Sequence, residues 1–141
     1  MNTTAVSRTE FDVCLVAVTN AITLAELTTR VGSEPSDGSH SIGDPHVLKS
    51  KGAWQSTVWQ VCSDLPRTAS LGEHFDAIAR KVSSSRLRAP GVLPNETRVY
   101  FSIGVFSDAQ IPVADLSRSV LGQCEEYQAS IEVRFYSPEM E

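Results

Sequence analysis

No stretch of the 141 residues stays apolar for the roughly 18 positions that a membrane-spanning helix needs. The N-terminal Met1-Asn-Thr-Thr-Ala-Val-Ser-Arg8 lacks the apolar core of a secretion signal, so a cytoplasmic protein with no membrane partner is expected. Without such a signal the sequons Asn2-Thr-Thr and Asn95-Glu-Thr carry no meaning. There is no P-loop, no Gly-x-Gly-x-x-Gly, and no Gly-x-Ser-x-Gly elbow around any serine, the run Ser83-Ser-Ser85 included. Phosphate-cradling and serine-hydrolase chemistry have no sequence support, and no cofactor and no catalytic residue are assigned. Cysteine is scarce: Cys14, Cys62 and Cys124 are widely spaced, odd in number and without a Cys-x-x-Cys pair. That pattern reads as three buried free thiols in a reducing compartment. A catalytic thiol would need an activating base, and none is near in sequence.

What is present is an ordinary globular composition, 41% apolar and 21% charged. A chain of this length forms one domain and buries roughly 68–70% of its unfolded surface, so it needs no metal or disulfide staple. The domain is expected over 11–137, between polar tails at 1–10 and 138–141. The net charge of −5 is unevenly spread. Arg80, Lys81, Arg86 and Arg88 cluster without acids, whereas Glu125, Glu126, Glu132, Glu139 and Glu141 face Arg134 alone near the C-terminus. The basic excess is too local for a nucleic-acid partner. The acidic end could steer a basic protein, with a solvated tail as the plainer reading.

The organising stretch is Arg98–Ser107, a strand by strict alternation: Val99, Phe101, Ile103 and Val105 on a wholly apolar face, Tyr100, Ser102, Gly104 and Phe106 on a mixed one. Residues 11–19 are apolar on both faces apart from Asp12 and read as a central strand. A capping box, Thr23-Leu-Ala-Glu26, opens a helix with Leu24, Leu27 and Val31 on one stripe, and Gly32 suits its left-handed end. Residues 33–52 form a long loop with a short edge strand near 39–42. Residues 53–62 read as a strand with Trp54 and Trp59 on opposite faces. A second capping box, Ser70-Leu-Gly-Glu73, opens the strongest helix, with Leu71, Phe75, Ile78 and Val82 inward and an end near Ser84. Val113, Leu116, Val120 and Cys124 define a third helix with Pro112 in its first turn. In 129–136, Ala129, Ile131, Val133 and Phe135 point inward, while Ser130, Glu132, Arg134 and Tyr136 point outward. One apolar stripe per helix and one apolar face per late strand imply an α+β fold: a two-layer sandwich, a four- to five-stranded sheet with three helices packed mainly on one face. Strand order is not readable from these patterns.

Val31-Gly-Ser-Glu-Pro35, Gly43-Asp-Pro45, Lys51-Gly-Ala-Trp54, the Val-Tyr-Phe-Ser-Ile strand and the closing Ile131-Glu-Val-Arg-Phe-Tyr136 occur in that order. Over roughly 11–137 the chain resembles the bacterial family of domain of unknown function 4279. The resemblance implies a small cytoplasmic bacterial protein and brings no activity or catalytic residues with it. Small solitary proteins of this kind include immunity proteins, which bind and block a toxin; that is an analogy.

Two constellations have side chains suited to chemistry, and each also has a plain structural role. His40, Asp44 and His46, with Asp37 ahead of them, have metal-ligating side chains but not the spacing of a zinc motif, and Gly43-Asp-Pro45 reads more simply as a turn. His74 beside Glu73 and Asp76 could be acid–base machinery, but next to the inward Phe75 it is expected to be exposed. The stronger candidate is the uncovered sheet face, carrying Trp59, Tyr100, Phe106, Glu132, Arg134 and Tyr136, with Trp54 assigned to the core. With the acidic Glu125 and Glu126 it composes an interaction surface. A non-enzymatic, immunity-type inhibitor of a basic toxin is the leading reading. A second copy of the chain, or the 33–52 loop itself, could cover the same face. A small-molecule-binding or regulatory domain and a metal-dependent enzyme using the loop are the alternatives.

Overall fold

The computed structural model describes residues 8–46, 48–110 and 113–137. The strands are β1 (Thr9–Thr19), β2 (Thr57–Cys62), β3 (Arg98–Ser107) and β4 (Ser130–Tyr136). The helices are α1 (Leu24–Val31), α2 (Leu71–Lys81), the single turn α3 (Ser84–Leu87) and α4 (Arg118–Glu126). Sheet order is β2-β1-β3-β4. β1 runs antiparallel to both neighbours, while β3 and β4 are parallel, as a connection long enough to carry α4 allows. β1 is central, as the uncharged run 13–19 implies, and its two charges, Glu10 and Asp12, stand near its start.

The period-2 reading of β3 holds residue for residue: Val99, Phe101, Ile103 and Val105 are buried. They meet Leu15, Ala17, Trp59 and Val61 and the helical stripes in one core. The stripes supply Leu27 and Val31 from α1, Leu71, Phe75 and Ile78 from α2, and Val120 and Cys124 from α4. Phe75 lies 4.5 Å from Phe101 between ring centroids, and Tyr127 meets Phe101 edge-on at 5.4 Å. The Tyr127 hydroxyl donates to the Val82 carbonyl, satisfying the phenol where water is excluded. The two-layer α+β arrangement with helices on one face is therefore the fold.

Local signals set the helix ends. Thr23 Oγ1 accepts from the Glu26 amide, and Gly32 closes α1 at φ 78°, where a Cβ would be strained. At α2 both halves of the box form, Ser70 Oγ accepting from Glu73 N and the Glu73 carboxylate from Ser70 N. The box holds the Glu73 carboxyl below its usual range through those Ser70 hydrogen bonds. α2 ends at Lys81, three residues short of the expected end, because Ser83 caps a new turn. α4 begins at Arg118 with Ser117 as cap, later than the apolar spacing suggested, and Val113 is 65% exposed. Pro112, assigned to that helix, lies outside the described residues, as do the first seven residues and the last four.

The strand expected over 53–62 is shorter: pairing begins at Thr57. Residues ahead of it belong to a folded loop whose His40 bridges Val58 and whose Pro45 bridges Ala53. Ser36 N donates to Gln60 O at 2.7 Å, and His40 and Val58 exchange amide–carbonyl bonds at 2.9 and 2.8 Å. The loop thus closes the free edge of β2, and the expected edge strand near 39–42 is reduced to the bridge at His40.

Candidate functional site

The sheet face away from the helices is laid out by register. Reading across the strands, Glu10 lies beside Phe106 and Tyr136, then Asp12 beside Gly104 and Arg134. Cys62, Cys14, Ser102 and Glu132 follow, then Gln60, Val16, Tyr100 and Ser130, and last Val58, Val18 and Arg98. Phe106 and Tyr136 stack at 5.0 Å. The Arg67 guanidinium sits 3.8 Å above the Phe106 ring, and its Nε donates to Asp12 Oδ2 at 3.1 Å. Gly104, having no side chain, leaves a hollow of about 310 Å³ walled by Asp12, Arg67, Phe106 and Tyr136 and floored by Cys14 and Ser102. At the far end Arg98 covers Tyr100 at 4.4 Å and also donates to Glu132 Oε2 at 3.1 Å. Arg134 donates to Glu132 Oε1 at 2.6 Å. Those donors, Arg134 first, hold the Glu132 carboxyl below its usual range. The charges of this face are therefore largely paired with one another and carry no net acidic field.

Tyr100, Phe106, Glu132, Arg134 and Tyr136 are brought together as expected. Three assignments are corrected. Trp59 is not on this face: it is fully buried, paired with Ala17 on the inner face, and its indole N–H donates to Ser33 O at 3.3 Å. Trp54 is the half-exposed one. Alternation set the two on opposite faces, and so they lie; it was the family resemblance that put Trp54 in the core, and the structure buries Trp59 there instead. Glu125 and Glu126 are exposed on α4, in the helix layer, and do not share a footprint with Glu132.

The cysteine reading is also corrected. Cys14 and Cys62 form a disulfide, and only Cys124 is free. Forty-eight positions separate the pair in sequence, but β1 and β2 set them opposite each other on one face. The thiol-based argument for a reducing compartment falls with that bond. Cys124 is a buried thiol whose pKa is raised by burial, so it is not poised as a nucleophile.

In the loop, both imidazoles turn to Trp54. His40 stacks on it at 3.6 Å and His46 lies at 4.0 Å. Asp44 accepts from the Ser41 amide at 3.0 Å, the turn role expected of it, and His46 Nδ1 accepts from Leu48 N. Among the described residues no group of three His, Cys, Asp or Glu is placed to hold a metal ion. Burial lowers the His40 pKa against the opposing pull of Asp44. Val18, Val58, Ala53 and Lys51 join these rings around a shallow pocket of about 410 Å³ at the corner of the same face.

His74, expected at the surface, is fully buried. Counting from Leu71 and Ile78 it sits three on and four back, so it belongs to the wide apolar arc of α2 and not beside it. Arg67 had no sequence signal at all, because only the tertiary fold swings the segment after β2 over Phe106. Asp12 was visible as the lone charge in an apolar strand. Compared with protein-family models, curated proteins and solved structures, the chain matches none. No helix among the described residues is long and apolar enough to cross a membrane.

Proposed function

We propose that this chain is a non-enzymatic binding protein that seats a partner protein on the uncovered face of its sheet. The observation that carries the reading is the composition of that face: half-exposed Tyr100, Phe106, Tyr136 and Trp54, interleaved with Arg67, Arg98 and Arg134. Aromatic and arginine side chains dominate binding hot spots because they bury large area at little rotamer cost. Here intramolecular pairs already hold the arginines, so a partner meets an ordered surface. Neutralising a bacterial toxin by occlusion is the particular role suggested by analogy, along with membership of the domain of unknown function 4279 family. Steering of a basic toxin belongs to Glu125 and Glu126 in the helix layer and is separate from seating.

The test is capture from the native cell with the immobilised chain, repeated with Phe106→Ala, Tyr100→Ala and Glu125→Lys. A single stoichiometric partner lost with the two face variants and kept with Glu125→Lys supports the reading. Equal capture by all variants defeats it.

A second reading, a small-molecule-binding domain, is favoured by the hollow over Gly104, with an aromatic pair, a guanidinium and a carboxylate converging on one volume. A ligand held there would raise the melting temperature by mass action, and Gly104→Val would abolish the rise.

A further inference from the structure

The two edges of the sheet are treated differently. The 33–52 loop hydrogen-bonds the outer edge of β2. The outer edge of β4 is bare: among the described residues its backbone makes no hydrogen bond outside its pairing with β3. An uncovered edge is a template for another strand unless proline, a bulge or like charges block it. β4 has no proline, and its two charges have opposite signs, Glu132 and Arg134, placed symmetrically about Val133. On the inner face of the same strand, Phe135 is 50% exposed although it points to the side where the core lies.

We propose that a second copy of this chain pairs antiparallel with β4 about a two-fold axis at Val133, joining two sheets into one. In that register Glu132 lies opposite the partner's Arg134 and Arg134 opposite the partner's Glu132. Ile131 lies opposite the partner's Phe135, which covers the ring that a single chain leaves in water. Cross-strand partners must share a face, so the register can shift only in steps that keep outward residues opposite outward ones. The adjacent permitted shift in one direction sets Glu132 against its own copy, and in the other sets Arg134 against its own copy. Like charges directly opposite are destabilising, so the sequence of β4 selects one register. The axis runs through the sheet, keeps both helix layers on one side and leaves the uncovered face continuous across the pair. The inference therefore stands apart from which partner that face seats. A single seven-residue edge is small beside the roughly 1,200–2,000 Å² of a standard interface, so exchange between monomer and dimer at micromolar concentration is expected.

The test is sedimentation velocity of the full chain across the micromolar range, with circular dichroism of each variant. The wild type is expected to shift from monomer toward dimer as concentration rises. Glu132→Arg alone and Arg134→Glu alone each set like charges across the axis and are expected to stay monomeric. Mixing the two restores a dimer, since every cross-strand pair is then opposite in sign, and the double variant E132R/R134E dimerises by itself. Should either variant lose its fold, Val133→Cys in the wild-type background supplies the answer: the new thiol faces its own copy and gives a covalent dimer under mild oxidation. A wild type that is monomeric throughout, a dimer that survives both single reversals, or a Val133→Cys chain that does not cross-link overturns the proposal.

Discussion

Ser63 Oγ lies 2.6 Å from His74 Nδ1, and both side chains are buried beneath the sheet. His74 Nε2 is equally buried and has no hydrogen-bond partner among the described residues. Protonating the ring would place a charge in an apolar core with one nitrogen unsatisfied. Burial accordingly lowers its pKa, against weaker opposing pulls from Asp12 and Glu73. The unfolded chain then binds the proton more readily than the folded one. Stability is full above the ordinary histidine range near 6.5 and falls as pH drops from there toward the lowered folded value. Urea midpoints measured across that window should decline for the wild type and decline less for His74→Gln, which keeps a polar group but does not titrate.

The two tryptophans should separate cleanly. Trp59→Ala removes a fully buried indole and is expected to cost about 3–5 kcal/mol. Trp54→Ala removes a half-exposed ring stacked on His40 and tilted against His46, and should cost on the order of 1 kcal/mol. Denaturant melts check the energies. Acrylamide should quench the fluorescence of Trp59→Phe, whose only indole is Trp54, more strongly than that of Trp54→Phe.

Legibility followed the periodicity. β3 could be read to the residue because one strand, paired on both sides, must alternate. The N-cap at Thr23 and the full capping box at Ser70 were legible because they are local chemistry, although the Glu26 half of the box expected at Thr23 goes to Arg30 instead. What failed were inferences that needed strand neighbours or the choice of inner face. Trp54 and Trp59 were exchanged because alternation sets them on opposite faces without saying which face is inner, and the resemblance chose Trp54; the Cys14–Cys62 bond was invisible because sequence spacing says nothing about which strands are neighbours. His74 was misplaced for a different reason: it was set outside because Phe75 points inward, whereas the apolar arc of α2 is wide enough to bury both neighbours. Of the uncovered face, its alternating residues on β3 and β4 were visible, whereas Arg67 over Phe106 depends on contacts distant in sequence.

Thiol titration of the unfolded, unreduced chain should count one free thiol, and reduction should raise the count to three. Closing a 48-residue separation restricts the unfolded chain, so Cys14→Ser with Cys62→Ser should lower stability by about 4 kcal/mol on the chain-entropy estimate. Three titrating thiols without reductant would remove the bond from the account.

The loop along β2 is tied by Gln60, whose side-chain amide donates to Asp37 O at 2.6 Å. Gly38 beside it has φ 92°, and a Cβ there would collide with the Gln60 amide. Gly38→Ala is therefore expected to loosen residues 36–40 through both strain and collision. Amide exchange at His40 and Val58 should quicken, with β3 protection unchanged. Quickening spread evenly over β1 and β3 would show that the loop is not a separate unit.

The central claim is that the uncovered sheet face is the working surface. Amide-exchange and cross-linking footprints of the complex captured from the native cell test it most directly. The account predicts protection of 98–106 and 132–136 together with Trp54, and cross-links confined to that face, while α4 exchanges as in the free chain. Protection centred on α4 around Glu125 and Glu126, with Tyr100 and Phe106 unchanged, would contradict it and move the working surface to the helix layer.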